Sequence, residues 1–377
     1  MISRSHVQVI VYARDSEASA GAWDRFAQRC GASFRCAYAA GVAWQFESHW
    51  AFRLRRLDLV RQTPDGPLKI GQCAVGIGRS RRVFADGLQL LAEYRSLWPS
   101  AIKAVLRHLG TGTYTYGSEW SVEQPRDHAL TSLDGVTVDD VRPTHVDVID
   151  LNRWANFDAY RMSTSSNVRR NVKKAEKSYP GLRIAENDGL MRADQFLQSV
   201  RMRRSLFRRK GIAKSGVGMA VRSFARLMAL QKYNHSAMLF DGRELLAAYT
   251  GVKFGRHFSY LEGASADDSR GASWYLLMAM IERAFDATGG KGLFVMGSDD
   301  GTQAGDPAWE GLRRSRRQAC ATAIPTAVVT FRYADVPIVA RLDSPHAERV
   351  QPVRELARVC VTAATTVASY ADAATTW

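Results

Sequence analysis

DDSRGASWYLLMAMIERAF (residues 267–285) decides the fold. Leu276, Leu277, Met280, Ile281 and Ala284 recur at helical spacing, so the stretch ends in a helix with one buried stripe. Ahead of it stands a turn of small residues, Ser269-Arg-Gly-Ala-Ser273, and ahead of that a strand running to Glu262. At the start of such a helix the first backbone N–H groups have no carbonyl partner within the helix. Gly271, Ala272 and Ser273 would aim those donors, with the positive end of the helix dipole, at a diphosphate. The Ser273 hydroxyl and the Arg270 guanidinium would add contacts. The same residues also suit an ordinary capped helix, and both readings stand at this point.

Working outward, Ser236–Phe240 and Glu244–Phe254 flank Asp241-Gly242, a hairpin signal. Residues 256–262 form a third strand. A fourth, 291–296, follows the helix stop Gly289-Gly290, and 321–333 adds another. Antiparallel strands, one helix and further strands make an α+β arrangement. On the third strand Tyr260 and Glu262 are two residues apart, which predicts a shared face and makes either an acid or base. After the fourth, Asp299 and Asp300 precede Gly301, as proton acceptors or as a plain turn.

Upstream, residues 153–233 read as helical and basic. Within them Arg169, Lys173 and Lys177, with Arg170 and Lys174 beside them, oppose a stripe of Val168, Val172, Ala175 and Tyr179. The charged face of this helix is either merely solvated or receives an anionic substrate, with Arg169, Arg170 and Lys173 as its contacts. Further basic clusters lie at 201–210 and 313–317, without interleaved aromatic residues or any recognised nucleic-acid module.

The first 150 residues open with a strand, 7–12, and a helix, 19–29, that puts Trp23 and Phe26 on one face. Apolar-rich pieces follow at 42–50, 52–60 and 68–77, the last two joined by the turn Thr63-Pro-Asp-Gly-Pro67. A helix begins at Pro99. The glycine-rich segment 110–117 follows that helix and precedes a strand, so it reads as a turn, since phosphate loops need strand, loop, then helix.

A length of 377 residues exceeds one usual core and predicts two domains, 1–150 and 151–335, with a weakly patterned tail, 336–377. The net charge of +15 favours a polyanionic partner: nucleic acid, an anionic membrane face or a phosphorylated small molecule. Five cysteines without a CxxC pair predict neither a disulfide framework nor a zinc site, and hence a cytoplasmic setting. No apolar run is long enough to span a bilayer.

Asp158-Ala-Tyr160, the helix 165–177, the strands 245–253 and 259–263, the turn 269–273 and the strand after Gly289-Gly290 follow one another in a known order. That order resembles the cellulose-biosynthesis-associated (BioF2-like) GNAT acetyltransferases, relatives of the FemAB proteins, over about residues 153–333. The resemblance implies two tandem GNAT-like domains, each a mixed, mostly antiparallel sheet flanked by helices. It implies transfer of an acyl group from acetyl-CoA or another acyl-CoA to an amine or hydroxyl of an amino sugar, peptide or cell-envelope precursor, without a metal. Residues 269–273 would hold the coenzyme, and Glu262, Asp299 or Tyr260 would handle the proton. Peripheral contact with an anionic membrane face fits the charge. Aminoacyl-tRNA as donor, as in FemAB relatives, and a noncatalytic envelope-associated binding protein are the alternatives. Asp268, standing where the family has Arg or Gln, and Met296 favour the last.

Overall fold

A computed structural model describes residues 9–13, 20–48, 51–122, 127–209, 216–267, 269–299 and 307–334. Lys210, Asp268, Asp300, Gly301 and the expected tail 336–377 lie outside them.

The N-terminal half comprises β1 (Val9–Ala13), α1 (Ala20–Arg29), α2 (Tyr38–Glu47), β2 (Arg53–Thr63), β3 (Gly66–Ile77), β4 (Arg81–Phe84), β5 (Gln89–Leu90), α3 (Trp98–Leu109), β6 (Gly112–Tyr116), α4 (Asp127–Thr131) and β7 (Val136–Asp150). Next come α5 (Phe157–Ser163), α6 (Ser166–Ser178), β8 (Leu182–Asp188), α7 (Ala193–Arg209), α8 (Gly216–Ala229), β9 (Asn234–Asp241), β10 (Glu244–Phe254), β11 (His257–Ser265), α9 (Ala272–Thr288), β12 (Leu293–Asp299), α10 (Pro307–Gln318) and β13 (Thr322–Tyr333).

The strands join one sheet in the order β1-β2-β3-β4-β6-β13-β7-β12-β11-β10-β9-β8, with β5 beside β3. Among the described strands only β4/β6 and β11/β12 are parallel, and each pair is bridged by a helix, α3 or α9. Each half is therefore an antiparallel run closed by one parallel crossover. The halves also exchange their last strands: β7 pairs with β12, and β13 pairs with β6. The boundary expected near residue 150 falls at the end of β7, which lies on the C-terminal side of this exchange.

Two cores flank the crossovers. One packs Trp98, Ile102 and Leu106 of α3 against Leu57, Ile70, Tyr114 and Phe331. The other packs Leu276, Met280, Ile281 and Ala284 of α9 against Phe258, Phe294, Ile149, Tyr160 and Val168. The stripe expected on residues 276–284 is thus the core-facing side of α9, with Leu277 packed at its edge.

The apolar piece at 42–50 includes the end of α2, which packs against α8, α1 and β2. Two expectations need correction. Residues 112–116 are strand β6, with Tyr114 and Tyr116 buried between exposed-side threonines. The helical reading of 153–233 misses β8, an edge strand paired with β9 whose half-buried alternation is weak. Among the described residues no helix is long and apolar enough to cross a membrane.

Candidate active site

Strand β11 carries the geometry. Its pairing with β10 slips between Thr250 and Gly251, which face Glu262 and Tyr260, so Leu261 is the extra residue of a β-bulge. The bulge reverses the alternation. Tyr260 stays on the α9 side, stacked on Tyr249 with ring centroids 5.2 Å apart. Glu262 turns to the opposite face, toward α8. The expectation that Tyr260 and Glu262 share a face is therefore overturned by one inserted residue.

Glu262 is held by three groups. Its carboxylate forms an ion pair with Arg203 of α7 and accepts a hydrogen bond from Ser223 Oγ of α8 at 3.1 Å. Arg226 lies 3.7 Å away, and Arg203 also donates to Ser223 Oγ at 2.9 Å. Burial, with Arg226 alongside, lowers the Arg203 pKa to about 10. Glu262, Ser223 and Arg226 border a small recess between α8 and the sheet.

The β11/β12 pairing ends early. It covers His257↔Leu293, Phe258↔Phe294 and Ser259↔Val295 only, although β11 runs on to Ser265 and β12 to Asp299. Past that point the strands part, and β12 is drawn toward β7 with a slip between Val295 and Gly297. Gly297 lies in this wedge at φ 124°, and a side chain there would collide with the Arg316 guanidinium. Arg316, 5% exposed, donates from Nη1 to Asp147 Oδ2 at 2.9 Å and to the Ser298 carbonyl at 3.2 Å, while its Nε has no partner. Three residues earlier on α10, Arg313 clamps the buried Asp299 through Nε and Nη2. The hydrogen bonds that Arg313 donates to Asp299 and Glu310 raise its pKa.

The turn before α9 is tighter than expected. Arg270 at φ 38° and Gly271 at φ 91° put two successive residues in the left-handed region, and Ala272 N–H donates to the Ser269 carbonyl at 2.6 Å. This is a type I′ turn. The N–H groups of Trp274 and Tyr275 go to the Gly271 carbonyl. Of the three amides expected to be free, Ala272 is therefore occupied by the turn itself. Those of Gly271 and Ser273 have no acceptor among the described residues.

Helix α6 borders this turn. A side chain at Gly271 would strike the Asn171 carbonyl, so the mouth of α9 abuts the middle of α6. Ser165 caps α6 by accepting from Val168 N–H at 3.3 Å, and Val168 and Ala175 are buried as the stripe predicts. Arg170 and Lys173 are exposed. Arg169 instead donates to the carbonyls of Met162 and Thr164, tying α6 to α5. The fold thus brings the turn 269–273 beside Arg170 and its neighbours. It does not bring Glu262, Tyr260 and Asp299 together: they lie on two faces and two strands, Tyr260 in a stack and Asp299 in a bidentate pair.

Sequence reading passed over Arg316 as one of a basic cluster. The usable signal was the i, i+3 spacing of Arg313 and Arg316 ahead of the last strand. Tyr260 is half-buried against the α9 core, and burial pushes its phenol up to about 12, against the pull of Arg316.

Residues 162–300 match the family described as acetyltransferase (GNAT) domain. No curated protein sequence matches the chain significantly. Among solved structures, FemX superposes with a TM-score of 0.61 at 11% identity, over 82% of this chain and 95% of that one. A conserved protein of unknown function from Bacteroides thetaiotaomicron gives 0.54 at 11% identity, over 86% and 100%. At such identities the likeness is one of fold. The chain has a GNAT-like fold, a mixed sheet flanked by helices.

Proposed function

We propose that the protein is an acyltransferase that takes its acyl group from acetyl-CoA or another acyl-CoA and passes it to an amine, less readily a hydroxyl, of an amino sugar, peptide or cell-envelope precursor. The observation behind this reading is the parting of β11 and β12 after Ser259 and Val295, beside a helix start with two amides that have no acceptor among the described residues. A thioester laid in that wedge would have its diphosphate at Gly271 and Ser273. Its carbonyl would then face strand N–H groups that no neighbouring strand uses. The acceptor attacks the carbonyl carbon, the C–S bond breaks and the thiolate leaves. Arg316, whose Nη2 lies over Gly297 and whose Nε is unpartnered among the described residues, would offset charge developing on the carbonyl oxygen. Among the expected acid–base groups, Glu262 borders a cavity and would receive the acceptor's proton. Orientation alone supplies a large share of such a rate. A place among the BioF2-like acetyltransferases is part of the same reading.

Calorimetry with acetyl-CoA tests it. Micromolar binding, lost in Gly271→Trp, is the expected outcome, and its absence from the wild type ends the proposal. The exposed row Arg170, Lys173, Lys174 and Lys177 favours a second reading, aminoacyl-tRNA as donor. Tight tRNA binding that weakens steeply with salt, with no coenzyme binding, would select it. Binding of neither donor points to a noncatalytic scaffold.

A further inference from the structure

Trp120, from the N-terminal half, reaches the parting of β11 and β12. Its ring tip, Cη2, stands 3.8 Å from where a side chain at Gly297 would begin, just past the last β11/β12 pair. The ring packs beside Val146, Val148 and Val295. Phe294 and Ile149, neighbours of those valines along β12 and β7, belong instead to the α9 core. Successive strand residues point to opposite faces, so Trp120 lies on the face of the sheet away from α9. There it also meets the cluster of Phe34, Val252 and Phe254 against which Leu261 packs, with its ring edge-on to Phe34 at 5.9 Å. Leu261 stands on β11 and Gly297 on β12, each beyond the point where the strands separate. Trp120 therefore roofs the gap between them.

The loop 117–122 holds this ring in place. Gly117 at φ 92° brings the backbone against the Ala327 carbonyl, Ser118 Oγ accepts from Trp120 N–H at 3.1 Å, and Ser121 N–H donates to the Ser118 carbonyl at 3.0 Å. Ser118 is buried and hydrogen-bonded to Asp86. Beside Trp120, Glu119 accepts from Arg142 Nη2 of β7 at 2.7 Å. A side chain locked by packing and by its loop's hydrogen bonds makes a fixed wall. A thioester held at Gly271 and Ser273 would send its acyl group through the gap toward the opposite face, where the Trp120 ring and its valine neighbours offer apolar contact. One carbon over Gly297 already touches the ring at 3.8 Å, so a chain ending there has no room to lengthen. We propose that Trp120 sets the length of the transferred acyl group, limiting the donor to the shortest thioesters, acetyl-CoA first among them.

The inference rests on the acyltransferase reading, and free coenzyme A keeps the two apart because it carries no acyl group. Calorimetry on the full chain compares coenzyme A, acetyl-CoA, butyryl-CoA and hexanoyl-CoA. The wild type is expected to bind hexanoyl-CoA about tenfold or more weakly than acetyl-CoA. Trp120→Ala should reverse that order, gaining about fourfold for each added methylene the opened space accepts, while free coenzyme A, which does not reach the ring, binds both chains alike. Trp120→Phe keeps an apolar ring in the core and tests the same point should the alanine chain fail to fold. It should admit butyryl-CoA and still reject hexanoyl-CoA. A wild type that binds hexanoyl-CoA as tightly as acetyl-CoA, or a length preference that neither substitution moves, overturns the inference and leaves the donor reading standing. If coenzyme A and its thioesters all fail to bind the wild type, both fall together.

Discussion

Gly271 shows how much a single residue decides here. Its φ of 91° is a region L side chains rarely enter, and an added Cβ would meet the Asn171 carbonyl, which is backbone and cannot swing aside. Gly271→Ala is therefore expected to cost about 1–3 kcal/mol and to loosen α6 from α9, read as a lower urea midpoint. An unchanged midpoint would show the contact is absent. Arg316 is the second case. Removing it in Arg316→Ala leaves the buried Asp147 without its arginine, and a loss of about 3–5 kcal/mol is expected. A thermal melt that barely moves would contradict this. Asp86 runs the other way. Burial raises its pKa, against the Ser33 hydrogen bond and the Arg35 charge. A raised carboxyl binds its proton more tightly when folded. Its favourable share of stability is thus intact below the unfolded value of about 3.9 and is lost as pH rises through the folded value. Asp86→Asn should gain stability relative to the wild type as pH rises from 4 to 8, and a difference independent of pH would refute the assignment. None of these environments was legible beforehand. The sequence marks Gly271 as permissive and Arg316 as basic, but Asp147 stands 169 positions from its arginine. Nothing local announces that pairing.

Among the elements, β11 separates what periodicity can and cannot reveal. Its apolar run and the hairpin before it marked the strand and its antiparallel partner. The small-residue turn and the stripe marked α9 with nearly its observed bounds. The bulge at Leu261 left no such mark, because one extra residue changes which face the chain presents without changing its composition. Period-two counting accordingly put Glu262 beside Tyr260 when it faces Arg203 instead. The Tyr249–Tyr260 stack depends on the same irregularity, since a side chain at Gly263 would collide with the Tyr260 hydroxyl. Gly263→Ala is expected to destabilise by about 1–3 kcal/mol through overpacking. Tyr260→Phe removes the nearest atom struck and leaves the ring Cζ at 2.8 Å as the next, so the alanine should cost less in that background, with a coupling of about 0.5–3 kcal/mol in a double-mutant cycle by urea unfolding. Strict additivity would mean the hydroxyl lies elsewhere.

For the molecule as a whole, the exchange of last strands is the consequential feature. Length alone suggested two domains, and the change in composition near residue 150 suggested where to divide them. Neither suggests that the chain's final described strand completes the first half, because strand patterns state that a segment pairs and not with which partner. Strand β13 lies between β6 and β7, registering Thr322–Tyr333 along nearly all of β7 and Val329–Tyr333 along β6. Val329, Phe331 and Tyr333 are enclosed in the N-terminal core, on the floor that α3 covers. Their burial is worth about 5–9 kcal/mol together, as much as many whole domains retain. Without them β6 and β7 would also expose unpaired edges. A chain ending at Ala321 is therefore expected to lose the cooperative unfolding transition of the N-terminal half, seen as flattened near-ultraviolet circular dichroism and collapsed amide protection in β2, β3 and α3. A chain ending at Ala334 should keep both. If the shorter chain protects those amides as well as the longer one, the N-terminal half folds on residues 1–150 alone, and β13 is an addition to it rather than part of its core.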